Sequence, residues 1–233
     1  MGLKNLILLF CSVLIVSTAQ AQSSRKMRNS EIDRMNSQRQ IKELKNNVLL
    51  VRLRTRQPLI NALLKSERNE EAQKVEYDQL KKNQEIIAAF DKYFDFCPVY
   101  FFRSDYSNHV LNQQLDSVVF LNDTAGYDPG IKITSKQFYI AEITGLEKDT
   151  ATFADGTYLV QTEDGLERRT SYHGGGNSGF EALIFKSSAF YQLRRPFPYY
   201  SRTLQSLPIL RRSYKRVIQR ANEALHYYYN KVY

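Results

Sequence analysis

The rhythm of apolar and polar positions changes several times along the chain. Leu6 to Val16 is an eleven-residue apolar run, preceded by Lys4 and followed by a segment ending Ala19-Gln20-Ala21. That small-x-small ending is what a signal peptidase accepts, and the run is shorter than the ~20 apolar residues a bilayer span needs. Residues 1–21 therefore read as a cleavable secretory signal peptide. From 22 to 47 the apolar positions thin out to Met27, Ile32, Met35, Ile41 and Leu44. Ser30 followed by Glu31 and Asp33 offers a helix start, so this polar segment is expected to be either helical or disordered.

Val48-Leu-Leu-Val-Arg-Leu-Arg-Thr55 is β-branched at its start and alternates Leu with Arg at its end. The pattern predicts a strand that emerges from the core toward solvent. Pro58 suits the first turn of a helix, and Leu59, Ile60, Leu63 and Leu64 follow at helical spacing. Asn69 is placed to cap a second helix, with Glu70 and Glu71 near its positive end and a stripe Val75, Leu80, Ile86, Ile87, Phe90, Phe94. Pro98 then favours extended chain at Cys97 to Arg103. Strand, helices and strand in that order predict a crossover joining two parallel strands of one sheet.

The second half carries short β-rich runs at 117–121, 137–144, 157–162, 168–172, 180–186 and 190–193. Asp128-Pro-Gly130, Asp155-Gly156, Asp164-Gly165 and Gly174 to Gly179 separate them, which predicts antiparallel hairpins. Pro196 and Pro198 are expected to end the β region. A last helix is predicted over 207–231, with Leu207, Leu210, Tyr214, Val217, Ile218, Ala221, Leu225 and Tyr228 on one face. The fold expected is α/β to α+β: one mixed-sheet domain over 48–233, with an N-terminal crossover, antiparallel hairpins and a C-terminal amphipathic helix.

Composition narrows the setting. The chain has 233 residues and a formal net charge of +9; loss of the leader with Lys4 would leave 212 residues and +8. Such a surplus attracts anionic partners. Outside the cytoplasm these are lipid headgroups, acidic glycans or acidic proteins, so an anionic envelope component or a protein partner is expected and nucleic acid is not. Cys97 is the one cysteine beyond the leader. It has no disulfide partner and no C-x-x-C context, and it sits in an apolar run, so it is expected to be a core thiol.

Candidate chemistry centres on His173-Gly-Gly-Gly-Asn-Ser-Gly179. His173 and Ser178 are the catalytic candidates. His-Gly-Gly-Gly resembles an esterase oxyanion loop, yet Phe180 replaces the glycine a nucleophile elbow requires. The same Phe180 breaks the resemblance to a chymotrypsin-like nucleophile segment. A phosphate loop would lead into a helix, whereas this one leads into a predicted strand, so a hairpin connection is favoured. Glu142, Asp155, Glu163, Asp164 and Glu181 supply possible carboxylate pairs. No metal site or cofactor is expected: His109, His173 and His226 have no ligand spacing, and Asn122-Asp123…Asp128 falls short of a calcium loop. The basic groups are more suggestive. Arg52 and Arg54 (with Arg56), Arg168, Arg169, Arg194 and Arg195, together with Tyr199 and Tyr200, have the composition of an interaction surface.

The signal end Ala19-Gln-Ala-Gln22 and the phrases Phe94-Asp-Phe-Cys-Pro-Val-Tyr-Phe-Phe102 and Arg195-Pro-Phe-Pro-Tyr-Tyr200 resemble those of uncharacterised exported proteins of Bacteroidota. The resemblance implies a periplasmic or outer-membrane-associated setting and no activity. The function expected is a non-enzymatic envelope binding module with a basic, tyrosine-rich surface. The alternatives are a secreted hydrolase built on His173 and Ser178 or a carboxylate pair, and a degenerate thioredoxin-like domain without redox cysteines.

Overall fold

The computed structural model describes residues 30–133, 135, 137–146, 154–162, 165–172, 181–204 and 208–233, with backbone alone over 154–162, 165–172 and at Pro208. A helix over 30–46, here α1, comes first. It is followed by β1 (Val48–Leu53), α2 (Gln57–Lys65), α3 (Asn69–Tyr93), β2 (Val99–Arg103) and α4 (Ser107–Leu111). Next come β3 (Phe120–Leu121), β4 (Tyr127–Asp128), β5 (Phe138–Gly145), β6 (Ala154–Thr162), β7 (Gly165–Tyr172), β8 (Glu181–Ser187), β9 (Tyr200–Arg202) and α5 (Tyr214–Val232). Seven strands form one sheet in the order β4-β3-β2-β1-β5-β8-β9, and β6 and β7 pair separately.

The predicted crossover is present: β1 runs parallel to β2, with Arg52 opposite Phe102. β1 is also parallel to β5, with Arg52 opposite Glu142. The remaining pairings are antiparallel, including β5 with β8 and β6 with β7, so the sheet is mixed and the class is α/β. β6 ends at Thr162, which pairs with Gly165 at the start of β7; Asp164 of the expected turn lies outside the described residues. Asp155-Gly156 instead lies inside β6, where the register shifts at a bulge.

β1 is covered on both faces. Leu49, Val51 and Leu53 belong to the larger core with Ile41 and Leu44 of α1, Ile86, Ile87 and Phe90 of α3, and Val217, Ile218, Ala221 and Leu225 of α5. Leu50 belongs to a second cluster with Phe102, Val110, Phe120, Phe138 and Ile140. α4 lies on that second side, and the β7 backbone approaches α4 and the 3-10 turn before it.

α1 is part of the domain. Ile41 and Leu44 are wholly buried, each worth about 1.5–3 kcal/mol over an exposed side chain. Tyr139 donates to Glu43 at 2.6 Å, and Lys45 donates to the Phe96 carbonyl at 2.8 Å. The helix expected to be capped by Asn69 begins one residue earlier than that reading. Asn69 is already helical, and Arg68 at the cap position pairs with Glu71, Nε to Oε1 at 2.7 Å. α5 starts at Tyr214 rather than 207, where Ser213 Oγ accepts from the Arg216 N–H.

Candidate functional site

Two polar assemblies stand out. The first is buried and sits where the parallel strands β1, β2 and β5 end. Alternation places Arg52 on the β1 face opposite Val51 and Leu53, in register with Glu142 of β5. The two form an ion pair at 2.6 Å, and Arg52 Nε donates to Ser107 Oγ at 2.8 Å. Lys186 of β8 donates to the other oxygen of Glu142. Arg52 is 2% exposed. The expectation of a strand reaching solvent at Arg52 is therefore corrected, because the second sheet face is covered as well. Burial alone would raise the Glu142 pKa. Lys186 and then Arg52 outweigh it, and the carboxyl is held well below the usual carboxylate range.

A hydroxyl chain continues the cluster toward the sheet edge. Ser107 Oγ donates to the Ser104 carbonyl at 2.5 Å. The Thr55 N–H donates to Ser104 Oγ at 3.2 Å, and its hydroxyl donates to Asp105 Oδ1 at 2.7 Å. Arg54 is half-buried and donates to Thr144 Oγ1 at 2.5 Å. Ligands of open α/β sheets bind at such carboxyl ends. A cleft of about 130 Å³ opens beside the chain, lined among others by Thr55, Gln79, Asn83 and Arg103. That is smaller than the roughly 300–1,000 Å³ of typical small-molecule sites. With both oxygens of Glu142 engaged and the carboxyl held ionised, Glu142 has no proton to give. The cluster's geometry ties β1, β5, β8 and α4 together.

The second assembly is on the surface. Arg202 is exposed on β9, and its guanidinium lies 5.5 Å from the Tyr200 ring centre. Arg212 reaches β9 through its N–H to the Thr203 carbonyl at 2.9 Å and its guanidinium to the Arg202 carbonyl at 3.3 Å. Arg216 and Arg220 lie four residues apart on α5 as neighbours on one helical face, and Arg212 stands just before that helix. Burial first, then Arg220, Arg216 and Arg202, lower the Arg212 pKa from its ordinary value. Among the described residues no carboxylate pairs with Arg211, Arg212, Lys215, Arg216 or Arg220. Lys215 instead lies over the Tyr93 ring at 4.9 Å.

Among the described residues, those singled out from sequence lie in different parts of the fold. Arg52 is in the buried triad and Arg54 beside it. Tyr199 is buried in the larger core, and Tyr200 is half-buried. Arg194 and Arg195 are exposed; Arg194 lines a cleft of about 270 Å³ with Asp33 and Gln40 of α1. The β7 backbone pairs Arg168 with Leu159 and Arg169 with Tyr158, and their side chains lie outside the description. His173, Ser178, Glu163 and Asp164 lie outside the described residues. Cys97 is buried, as expected of a core thiol, and burial pushes it up to about 12 against a weaker opposing effect of Lys45. Among the described residues no group of three or more His, Cys, Asp or Glu is placed to hold a metal ion. None of their helices is long and apolar enough to cross a membrane.

Sequence reasoning passed over Arg202, although a signal was there. Residues 182–222 contain nine Lys and Arg and no Asp or Glu, and the other 24 Lys and Arg balance the chain's 24 carboxylates. The whole surplus of +9 therefore resides in that stretch. Compared with known proteins, the chain matches no family model, no curated protein and no solved structure.

Proposed function

We propose that this chain is an exported envelope protein that acts as a binding module, holding an anionic partner on the arginine face shared by β9 and α5. The observation that carries this reading is the cluster of Arg216 and Arg220 on α5 with Arg212 just before the helix and Arg202 on β9, with no carboxylate pairing Arg212, Arg216 or Arg220 among the described residues. Like charges so placed repel one another, and an anion relieves that repulsion as it binds. Arginine forks suit phosphate and carboxylate groups. The rings of Tyr200 and Tyr93 beneath Arg202 and Lys215 supply the tyrosine-rich character. The leader at 1–21 supports export, where such a face meets headgroups, acidic glycans or acidic proteins.

The test is retention of the chain from Gln22 onward on immobilised heparin, used as a polyanion probe, across a salt series. Arg212→Glu/Arg216→Glu is expected to weaken retention at least tenfold and flatten its salt dependence. Lys65→Glu/Lys81→Glu makes the same charge change at exposed positions on α2 and α3 and is expected to have a much smaller effect. Equal losses in the two double variants would show that net charge alone is read, and the face would lose its standing as a site.

A further inference from the structure

Shortly before α5 the chain makes a 3-10 turn, Pro208–Leu210. Ile209 is 98% exposed and Leu210 58% exposed. A lone exposed aliphatic is ordinary in a folded protein. Two in succession at the tip of a turn, followed directly by Arg211 and Arg212, are a different pattern. Arg211, Lys215 and Arg216 are exposed on the next turns, and Arg202 stands close enough to Arg212 to perturb it. The apolar point is thus set among cations, at the amino end of α5.

Acidic glycans satisfy the cations and leave Ile209 in water, and an acidic protein covers it only where an apolar pocket matches the turn. An anionic bilayer satisfies both groups: phosphate headgroups meet the guanidiniums, and the acyl boundary receives the aliphatic side chains. Each signal alone is weak, and peripheral anchoring characteristically combines an apolar element with a basic patch. We infer that the Pro208–Leu210 turn is a membrane-docking point, where Ile209 and Leu210 enter the acyl boundary of an anionic bilayer while Arg202, Arg211, Arg212 and Arg216 engage its phosphates. This rests on the anion-binding face proposed above and names the partner of that face. No spanning helix is involved; the contact is with one leaflet.

The chain contains no tryptophan, so Ile209→Trp creates a single indole reporter at the tip. The protein is mixed with vesicles of phosphatidylcholine alone or of phosphatidylcholine with phosphatidylglycerol. Co-sedimentation and a blue shift of the indole emission are expected only with the anionic vesicles, and brominated acyl chains are expected to quench that emission. Ile209→Ser/Leu210→Ser is expected to weaken partition roughly tenfold or more, from the aliphatic area no longer buried. Arg212→Ala/Arg216→Ala is expected to weaken it about thirtyfold, at roughly fivefold per basic residue. Sedimentation without an indole shift, or without loss in the serine variant, overturns insertion. Binding to heparin but not to anionic vesicles overturns membrane docking and leaves the anion-binding face intact. Binding to neither overturns both.

Discussion

Glu142 neutralises two cations that have no other route to water. Its folded pKa is depressed, so its contribution to stability is fully present above the unfolded carboxylate value of about 4.3. That contribution is lost as pH falls through the lower folded value. Glu142→Gln keeps the shape and leaves Arg52 and Lys186 buried together without their counter-charge. Breaking such a pair from one side costs about 3–5 kcal/mol. Chemical denaturation at neutral pH is expected to show that loss, and the variant's stability is expected to fall less steeply than the native protein's in acid. A native-like midpoint would mean the triad contributes little. Cys97 makes a second residue-scale case. With its pKa pushed up to about 12, the thiol is protonated at mildly alkaline pH and screened by its burial. A thiol-specific chromogenic reagent is expected to label it only as fast as the core opens, and at full rate in denaturant. Labelling at the free-thiol rate under native conditions would show that the site is open.

At the scale of elements, Asn222 joins α5 to the link between α3 and β2. Its side-chain oxygen accepts from the N–H groups of Asp95 and Phe96 at 3.2 and 3.1 Å, and its amide donates to Asp95 at 2.8 Å. Asn222→Ala is expected to cost about 1–3 kcal/mol, since it orphans these partners. Asn222→Asp, which retains the acceptor but faces the Asp95 carboxylate, is expected to recover only part of it; equilibrium urea unfolding reads both. The elements legible in the sequence were those whose signal is local. β-branched runs, Pro98 and the Asp164-Gly165 dipeptide as a turn signal were sufficient for β1, β2, β6 and β7, and apolar periodicity for α3 and α5. β9 was not legible, because Pro196 and Pro198 stand just before it and it pairs for only three residues with β8. The run at 190–193, expected as a strand, amounts to one bridge between Lys186 and Gln192. Arg52 failed for another reason. Alternation assigns a side chain to a face and is silent on what covers that face. The Glu142 partner lies ninety residues away in sequence and is found only through strand pairing.

Across the whole molecule, the charge surplus falls in one stretch of sequence, which builds most of β8 with the buried Lys186, the loop carrying Arg194 and Arg195, β9, the exposed turn and the start of α5. Six of its nine cations, Arg202, Arg211, Arg212, Lys215, Arg216 and Arg220, belong to β9 and the chain from 211 to 220. A patch so concentrated orients the protein toward an anionic surface before contact, an effect that weakens as salt shortens the screening length to about 10 Å at 0.1 M. Which anions it meets depends on compartment, and that rests on the leader. On the export proposed above, signal-peptidase cleavage after Ala21 would remove the apolar run and leave α1, whose Ile41 and Leu44 belong to the core, within the mature chain. Intact mass of protein purified from its native host is therefore expected to correspond to a chain beginning at Gln22, recovered from the envelope fraction. The same measurement on an Ala19→Arg/Ala21→Arg variant is expected to show the leader retained, because the peptidase pocket admits only small residues at those positions. Recovery of the native chain from the cytosol with Met1 attached would return RNA and DNA phosphates to the set of anions available to Arg202, Arg212, Arg216 and Arg220. The membrane-docking role of Ile209 and Leu210 would then have to stand on the vesicle measurements alone.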